Sequence, residues 1–403
     1  MNSGGSAHRP HTKAAMIAIV LTVTALTAGV LFCDRLEKEN VHAVAGDFST
    51  AKVQGAVLQR QAFASPDLLV LYGSSELGQD SPTNANKFFE EYPTGFRVFP
   101  VGKPGTTSLG TLQKVAAVGT GISGRKVAFS ISPGWFFTEL FDPAYYEGNF
   151  SKLQAYELAF SNTLSPELKH EIAQRMVEYP ATLQDEWLLQ AALQRLANDT
   201  LTDRVLYTLI WPLGRMNTAV GRAQDHLEAA LHIVEQEHPG DAVSGRKSRI
   251  LNWEDLLRRG AQFGRRAAVK AWKADKAKRR PQLNPDKKRI KTQAFVQTIS
   301  RAKEWTDLEL LLRTFRELGA TPLLLSMPVE NLRLDVYGVS SETRTAYRQR
   351  LHELAERYGV RLVDFHEHDQ EETFLSDFSD HLSPEGWLYY SQALDDFYHD
   401  RIP

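Results

Sequence analysis

The stretch Asp67-Leu68-Leu69-Val70-Leu71-Tyr72-Gly73-Ser74-Ser75-Glu76-Leu77 decides the fold class of this chain. Its first half is a short, continuous apolar run, which is typical of a strand buried on both faces of a parallel sheet. The glycine and two serines that follow allow a sharp turn at the carboxyl end of the strand, where open α/β sheets place their ligands. Either serine is therefore a candidate nucleophile. The alternative is that Ser74 or Ser75 only caps the next helix, with Glu76 in the first turn of that helix.

Strand and helix patterns alternate on the C-terminal side of this stretch. We first predict a helix from Asn84 to Glu91, a strand from Phe96 to Val101, a helix from Leu109 to Val118 and a strand from Lys126 to Ile131. Near the C-terminus we predict helices from Asp307 to Leu318 and from Thr343 to Tyr358, and strands from Pro322 to Ser326 and from Val360 to Asp364. The alternation predicts an α/β fold with a doubly wound parallel sheet whose strands are split in sequence.

The alternation stops between residues 141 and 301, where long helical patterns predict a large helical insertion. The predicted helices in it are Ser165 to Val177, Leu183 to Leu196 and Arg222 to Gln236. The insertion ends in a basic run, Arg258 to Lys291, which is opposed by only two aspartates. Such a run is either a solvated helix face or a patch for an anionic partner. The candidate patch residues are Lys278, Arg279, Arg280, Lys287, Lys288 and Arg289.

The overall composition narrows the class of protein. The chain has 403 residues and a formal net charge of −2, with ordinary apolar content, so neither disorder nor general nucleic-acid binding is favoured. Cys33 is its only cysteine, which excludes an intramolecular disulfide and a cysteine-based metal site. We predict no metal and no cofactor.

The N-terminus predicts a single-pass membrane anchor. Ala14 to Cys33 is an uncharged, mostly apolar run whose helical length matches the bilayer core of about 30 Å. Arg9 and Lys13 precede it without an acidic residue, and mixed charges follow it. The positive-inside tendency then predicts that residues 1–13 are cytoplasmic and that residues 34–403 lie outside the cell membrane.

Two other interpretations of the N-terminus are open. Ala43-Val44-Ala45 resembles a signal-peptidase site, but it lies well past an apolar run that is itself too long for a usual signal peptide. Cys33 suggests a lipoprotein, yet the bulky Phe32 before it does not fit such processing. An uncleaved anchor is favoured, followed from Val41 to Ala64 by a stalk or a helix that leads to the first strand.

A second candidate site segment is Phe374 to Trp387, where His381 is preceded by Asp377 and Asp380 and followed by a helix from Gly386 to Tyr398. A serine nucleophile needs a base that takes its proton, and the base needs an acid that orients it. Taken alone, His381 fits a histidine at a helix start or on the surface better than a catalytic base. Together with the serine turn and the split sheet, it predicts a Ser-His-Asp triad.

Four segments carry a family resemblance. They are Gly73-Ser74-Ser75-Glu76-Leu77, Ser132-Pro133-Gly134-Trp135-Phe136, Met327-Pro328-Val329 with Tyr337-Gly338, and His381-Leu382-Ser383-Pro384-Glu385-Gly386-Trp387. In this order they resemble segments of the DltD family, the D-alanyl transfer proteins of the dlt system. The resemblance implies an SGNH-hydrolase-like three-layer α/β/α domain outside the membrane. It also implies D-alanylation of teichoic acid or another anionic envelope polymer, with a DltB-like membrane-bound O-acyltransferase and a D-alanyl carrier protein as partners.

The resemblance assigns roles to individual residues. Ser75 would be the nucleophile and His381 the base. The family pattern resembles Asp-x-x-His, but Phe378 stands three residues before His381 and cannot serve as the acid. We favour Asp377, because a one-residue bulge would fold it back onto the ring. Asp380 is the alternative, although adjacent side chains usually diverge.

The oxyanion site departs from the SGNH pattern, which combines a glycine with an asparagine. Gly105 matches the glycine, but no asparagine follows the third strand, so the backbone N–H groups of Ser75 and Gly105 are expected to stabilise the oxyanion. The predicted activity is that of an acyltransferase or an acyl-ester hydrolase, since the same triad performs both reactions. The competing hypothesis is a non-catalytic membrane-tethered scaffold that docks the acyltransferase or the carrier protein.

Overall fold

Five parallel strands form the central sheet in the order β2-β1-β3-β4-β5. The computed structural model describes residues 10–138, 142–236, 248–261, 299–329, 339–371, 373–376 and 381–402. The strands are β1 (Leu68–Gly73), β2 (Arg97–Gly102), β3 (Lys126–Ile131), β4 (Thr321–Ser326) and β5 (Arg361–Asp364). Gly73 at the end of β1 pairs with Gly102 at the end of β2. Their carboxyl ends therefore lie at the same edge of the sheet.

Both faces of the sheet are covered, which makes the domain a three-layer α/β/α structure. Along β1, Val70 and Tyr72 pack into one hydrophobic core. Leu69 and Leu71 point to the other face and pack into a second core. Successive residues of a strand point to opposite faces, so a continuous apolar run is required to fill both cores. The predicted parallel sheet and SGNH-like layering are thus confirmed.

Helices surround the sheet and form most of the segment between β3 and β4. Before β3 they are α1 (Pro10–Asn40), α2 (Thr50–Gln54), α3 (Val57–Ala64), α4 (Ala85–Glu91) and α5 (Ser108–Val118). Between β3 and β4 they include α6 (Pro143–Asn149), α7 (Lys152–Phe160), α8 (Pro166–Met176), α9 (Trp187–Asn198), α10 (Leu201–Glu235) and α11 (Lys303–Glu317). The last two are α12 (Ser341–Tyr358) and α13 (Pro384–Tyr398).

The N-terminal helix is longer than the predicted anchor of residues 14–33. It runs to Asn40, and within the described residues it is the one helix that is long and apolar enough to cross a membrane. The chain after it is no stalk, because Val41 and Val44 are fully buried in the core. The ammonium group of Lys52 stabilises the segment between α1 and α2 by donating hydrogen bonds to the carbonyl oxygens of Val44 and Ala45, at 3.1 and 2.9 Å. Residues 41–64 therefore pack against the core as turns followed by the two short helices α2 and α3.

Buried polar contacts attach the helical segment to the sheet domain. Arg175 of α8 donates two hydrogen bonds to the carboxylate of Asp307 on α11, at 2.7 and 3.0 Å. Asp225 of α10 accepts hydrogen bonds from the backbone N–H groups of Ala56 and Val57 at the start of α3, at 2.8 and 2.9 Å. Such buried pairs favour one arrangement of the helices, because breaking either contact would leave a further buried polar group unpaired.

Glu304 on α11 gives a testable pH dependence of stability. Its carboxyl group accepts a hydrogen bond from the Ser108 N–H at the start of α5, at 2.8 Å, and burial raises its pKa to about 8. Between its ordinary pKa of 4.5 and about 8, the unfolded chain releases a proton that the folded chain retains. The free energy of unfolding should therefore fall as pH rises through this window, by about 1.4 kcal/mol for each pKa unit of difference at most.

Replacing Glu304→Gln keeps a hydrogen-bond acceptor and removes the titration. We expect the variant to match the native chain near pH 4.5 and to be more stable at pH 8, measured by thermal unfolding of both proteins. The matched control is Glu353→Gln, because Glu353 is exposed on α12, and we expect no gain in stability at pH 8 for this variant. If the stabilities of Glu304→Gln and the native chain change with pH in the same way, the raised pKa of Glu304 is contradicted.

Candidate active site

Ser75 stands at the carboxyl edge of the sheet, directly after β1. It is the first residue of a short 3-10 helix, Ser75–Gly78, and its side chain is half-buried, so a substrate can reach the hydroxyl group. Ser74 occupies the position before this helix but makes no capping hydrogen bond. Its hydroxyl group is buried and has no partner among the described residues. The capping role considered for Ser74 is thus not observed.

His381 lies opposite Ser75, although the two residues are 306 positions apart in the sequence. The Nε2 atom of His381 is 3.0 Å from the Ser75 Oγ atom. This distance allows the serine hydroxyl to donate a hydrogen bond to a neutral imidazole, which is the geometry that a general base requires. The structure therefore brings together the two residues that the sequence placed in the nucleophile and base positions.

The segment that carries His381 is held by its own backbone. Leu375 and Leu382 form an antiparallel bridge, and the Ser376 N–H donates to the His381 carbonyl oxygen at 2.8 Å. Ser383 then caps α13, because its hydroxyl oxygen accepts from the N–H groups of Glu385 and Gly386, both at 3.1 Å. A bridge on one side and a helix cap on the other fix the direction of the imidazole.

The acid of the predicted triad lies outside the described residues. Asp377 and Asp380 are both in residues 377–380, together with Phe378. Both aspartates stay candidates. The candidate patch residues of the basic run, and Tyr337-Gly338 of the family resemblance, also fall outside the described part of the chain.

Gln79 connects the serine turn to the histidine segment. Its amide nitrogen donates to the Ser376 hydroxyl oxygen at 3.3 Å, and its amide oxygen accepts from the Trp387 indole N–H at 3.4 Å. Ser376 in turn bonds the backbone of His381, so Gln79 helps to set the distance between base and nucleophile. Sequence reasoning missed this residue. Its position four residues after Ser75, at the end of the same turn, was the available signal.

We predict that Gln79→Leu slows acylation of Ser75 by roughly 10- to 100-fold, because small displacements of catalytic groups cost rates of this order. The fall should appear in the rate of covalent labelling and in kcat, with little change in thermal stability. Gln349→Leu, on the exposed face of α12, is the control. If labelling of Gln79→Leu proceeds at the native rate, the positioning role is wrong.

A buried carboxyl group lies beneath the serine turn. Glu76 is fully buried, and its Oε1 atom accepts a hydrogen bond from the Ser74 N–H at 3.0 Å. Burial raises the pKa of Glu76, while that hydrogen bond and the nearby His381 partly offset the rise. The contact fixes the backbone immediately before Ser75 and so contributes to the orientation of the nucleophile.

The second candidate oxyanion donor, Gly105, lies in the loop that follows β2, the neighbour of β1. Its φ angle is +82°, and a Cβ atom there would lie 2.6 Å from the ring of Tyr145. Only glycine adopts this backbone without strain or collision. Among the described residues the Gly105 N–H makes no hydrogen bond, which leaves it available to an oxyanion.

Asn149, at the end of α6, holds the Gly105 loop. Its amide oxygen accepts from the Thr106 hydroxyl at 2.8 Å, and its amide nitrogen donates to the carbonyl oxygens of Pro104 and Tyr145, at 3.2 and 2.9 Å. Both N–H groups of the amide are thus occupied. Asn149 therefore positions the loop rather than offering a donor to the substrate. The sequence did not indicate this role, since Asn149 belongs to the helical segment.

Comparison with known proteins places the chain in a family. A family model described as "DltD protein" matches residues 45–399. The chain is 26% identical over 369 residues to Protein DltD of Bacillus subtilis (strain 168), covering 91% of this chain and 90% of that protein. It is 24% identical over 343 residues to Protein DltD of Staphylococcus aureus (strain NCTC 8325 / PS 47), covering 85% and 84%. For Protein DltD of Lacticaseibacillus rhamnosus the identity is 22% over 390 residues, covering 95% and 89%.

The family match begins just after α1 and reaches the end of α13, so it includes both the serine turn and the histidine segment. The chain therefore belongs to the DltD family, whose members take part in D-alanylation by the dlt system.

Proposed function

We propose that this protein is a membrane-anchored acyltransferase that transfers D-alanyl groups to a cell-envelope polymer outside the membrane. The observation that carries the proposal is the 3.0 Å contact between the His381 Nε2 atom and the Ser75 Oγ atom at the carboxyl edge of the sheet. Membership of the DltD family supports D-alanine as the acyl group.

The proposed reaction has two steps. Ser75 attacks the carbonyl carbon of a D-alanyl ester or thioester while His381 takes its proton, and His381 then protonates the leaving group as an acyl-serine ester forms. In the second step His381 takes the proton of a polymer hydroxyl as that oxygen attacks the ester carbonyl carbon. His381 then gives the proton to the Ser75 Oγ atom as the acyl–serine bond breaks, which yields the polymer ester and free Ser75. Backbone N–H groups of Ser75 and Gly105 would stabilise the oxyanion in both steps. Asp377, or Asp380 in its place, would orient the imidazole.

The same proposal includes the location and the partners. α1 would anchor the chain by a single pass, with the N-terminus cytoplasmic and the domain from residue 34 onward extracytoplasmic. A DltB-like membrane-bound O-acyltransferase and a D-alanyl carrier protein are the expected partners, because a cytoplasmic acyl donor must be handed across the membrane. Teichoic acid or a similar anionic polymer is the expected acceptor.

Analysis of alkali-labile D-alanine on the envelope polymers tests the proposal. Cells without the gene should lose this D-alanine, and the native chain should restore it. Equal D-alanine in cells with and without the gene would overturn the proposal. A non-catalytic scaffold also predicts this loss, but it does not require an intact Ser75 hydroxyl group.

The basic run gives a separate prediction about the acceptor. Charge reversal of Lys278, Arg279, Arg280, Lys287, Lys288 and Arg289 should weaken binding of the full chain to an anionic glycerol-phosphate polymer. Each basic residue near an anionic surface contributes on the order of 1 kcal/mol, and salt screens the attraction over about 8 Å. Reactivity of Ser75 toward a small ester should not change. If polymer binding changes neither with the charge reversal nor with salt concentration, the basic run is a solvated helix face and not a binding patch.

A further inference from the structure

α10 carries a continuous apolar stripe on its outer face. The α10 stripe consists of Val205, Leu209, Leu213, Val220, Leu227 and Val234, whose exposed fractions lie between 49% and 69%. These residues recur every four or seven positions, so they lie within an arc of about 80° around the helix. The stripe is about 44 Å long at 1.5 Å per residue. Exposed apolar surface of this length is rare on a soluble domain and marks a contact surface.

The opposite face of α10 is fixed to the domain. Gly214, Thr218 and Asp225 are buried, and Asp225 bonds the start of α3. The stripe therefore points directly away from the core and cannot be covered by a small rotation of the helix. Because this opposite face is buried against the domain, α10 cannot cross the bilayer core and can only lie along a membrane surface.

The end of the anchor packs beside the stripe. The Glu37 carboxylate of α1 contacts the Nδ1 atom of His226 on α10 at 2.9 Å, and Leu227 of the stripe is the next residue. Glu37 comes only three residues, or about 4.5 Å of helix, after Asp34, the first charged residue that follows the apolar run of α1. If α1 spans the membrane, the part of α10 near His226 must therefore lie at the level of the lipid headgroups.

The polar composition around the stripe also fits lipid. Every exposed position of α10 from Val205 to Gln224 is uncharged. Helices that pair with a second copy usually carry exposed acidic and basic residues beside the apolar seam. In this stretch the two charged residues, Arg215 and Arg222, are only partly exposed, and Arg222 pairs with Glu157. The exposed Glu228 and Glu235 lie beside the last part of the stripe alone. Trp187 at the start of α9, which packs along α10, is 68% exposed, and tryptophan is enriched at the membrane–water interface.

We propose that the α10 stripe rests on the extracytoplasmic surface of the lipid bilayer. The apolar side chains enter the boundary between headgroups and acyl chains, as in interfacial amphipathic helices. α1 alone would leave the domain free to turn about one helix, whereas α1 and α10 together give it two attachment points. The orientation of the serine turn relative to the membrane is then fixed. This inference rests on the proposed membrane anchoring by α1.

Lipid quenching of a fluorophore on the full chain tests the proposal. A Cys33→Ser background removes the native thiol, and Leu213→Cys carries an environment-sensitive NBD label in nanodiscs of phosphatidylcholine and phosphatidylglycerol. A nitroxide attached to the lipid acyl chains should quench Leu213→Cys about as strongly as Val23→Cys within α1. Glu228→Cys, exposed beside the stripe on the same helix, should be quenched less, and Glu356→Cys on α12 should not be quenched.

The results separate this inference from the anchoring on which it rests. Quenching of Val23→Cys without quenching of Leu213→Cys would overturn the lipid contact and leave the anchor in place. Absence of quenching at both positions would overturn the anchoring as well. Disulfide-linked dimers of unlabelled Leu213→Cys would assign the stripe to a second copy and so overturn the proposal. Leu213 is exposed on the helix surface, so its replacement leaves no core cavity.

Discussion

Cells that carry Ser75→Ala are expected to lose alkali-labile D-alanine from the envelope, while the variant protein accumulates and folds normally. Loss of a serine nucleophile that acts with a histidine base reduces turnover by roughly 10⁴-fold or more. The residual rate would be too small to maintain the ester on the polymer. Ser75 is half-buried at the sheet edge, so removal of its hydroxyl should change thermal stability little.

Ser74→Ala is the matched control for this experiment. The Ser74 hydroxyl is buried and has no hydrogen-bond partner among the described residues, and the contact with Glu76 uses the backbone N–H of Ser74. The control should therefore keep envelope D-alanine near the native level. Normal D-alanine in the Ser75→Ala strain would exclude Ser75 as the nucleophile and favour the scaffold hypothesis.

Asp377→Asn is expected to reduce acyl transfer by roughly 10³- to 10⁴-fold, since an amide favours the wrong tautomer of the histidine and cannot stabilise the imidazolium. Asp380→Asn is the paired variant, with an identical chemical change three residues away, and it should keep most of the activity. The measurement is the rate of transfer or hydrolysis of a D-alanyl ester by the full chain. A large effect of Asp380→Asn alone would reverse the assignment, and normal rates for both variants would exclude a triad acid in this segment.

Local sequence patterns were sufficient to predict the sheet and the serine–histidine pair. The limits of β3 agree with its prediction, because the strand is a mostly apolar run between Gly124 and Pro133, two residues that interrupt strands. Ser75 lies in a turn just after Gly73 at the end of β1, and His381 lies just before the start of α13. Turns of this kind are recognisable in the sequence from their small and polar residues. Parallel topology then brings these distant ends to one edge.

The parts that sequence reasoning missed depend on contacts between distant segments. The first half of α10 contains Pro212 and Gly214, which usually interrupt helices. In the structure a Cβ atom at position 214 would lie 2.1 Å from the Phe160 ring, so glycine lets α10 pack directly on α7. Asn149 and Gln79 act through hydrogen bonds across the fold. No local pattern encodes such partners.

Covalent labelling of the purified full chain with a fluorophosphonate probe tests the central claim most directly, because such probes react with activated serines. The account predicts a single labelled peptide that contains Ser75, and at least a 100-fold slower reaction in His381→Ala, as expected when general base catalysis is removed. Labelling at another serine, or labelling of Ser75 at the native rate in His381→Ala, would contradict the account.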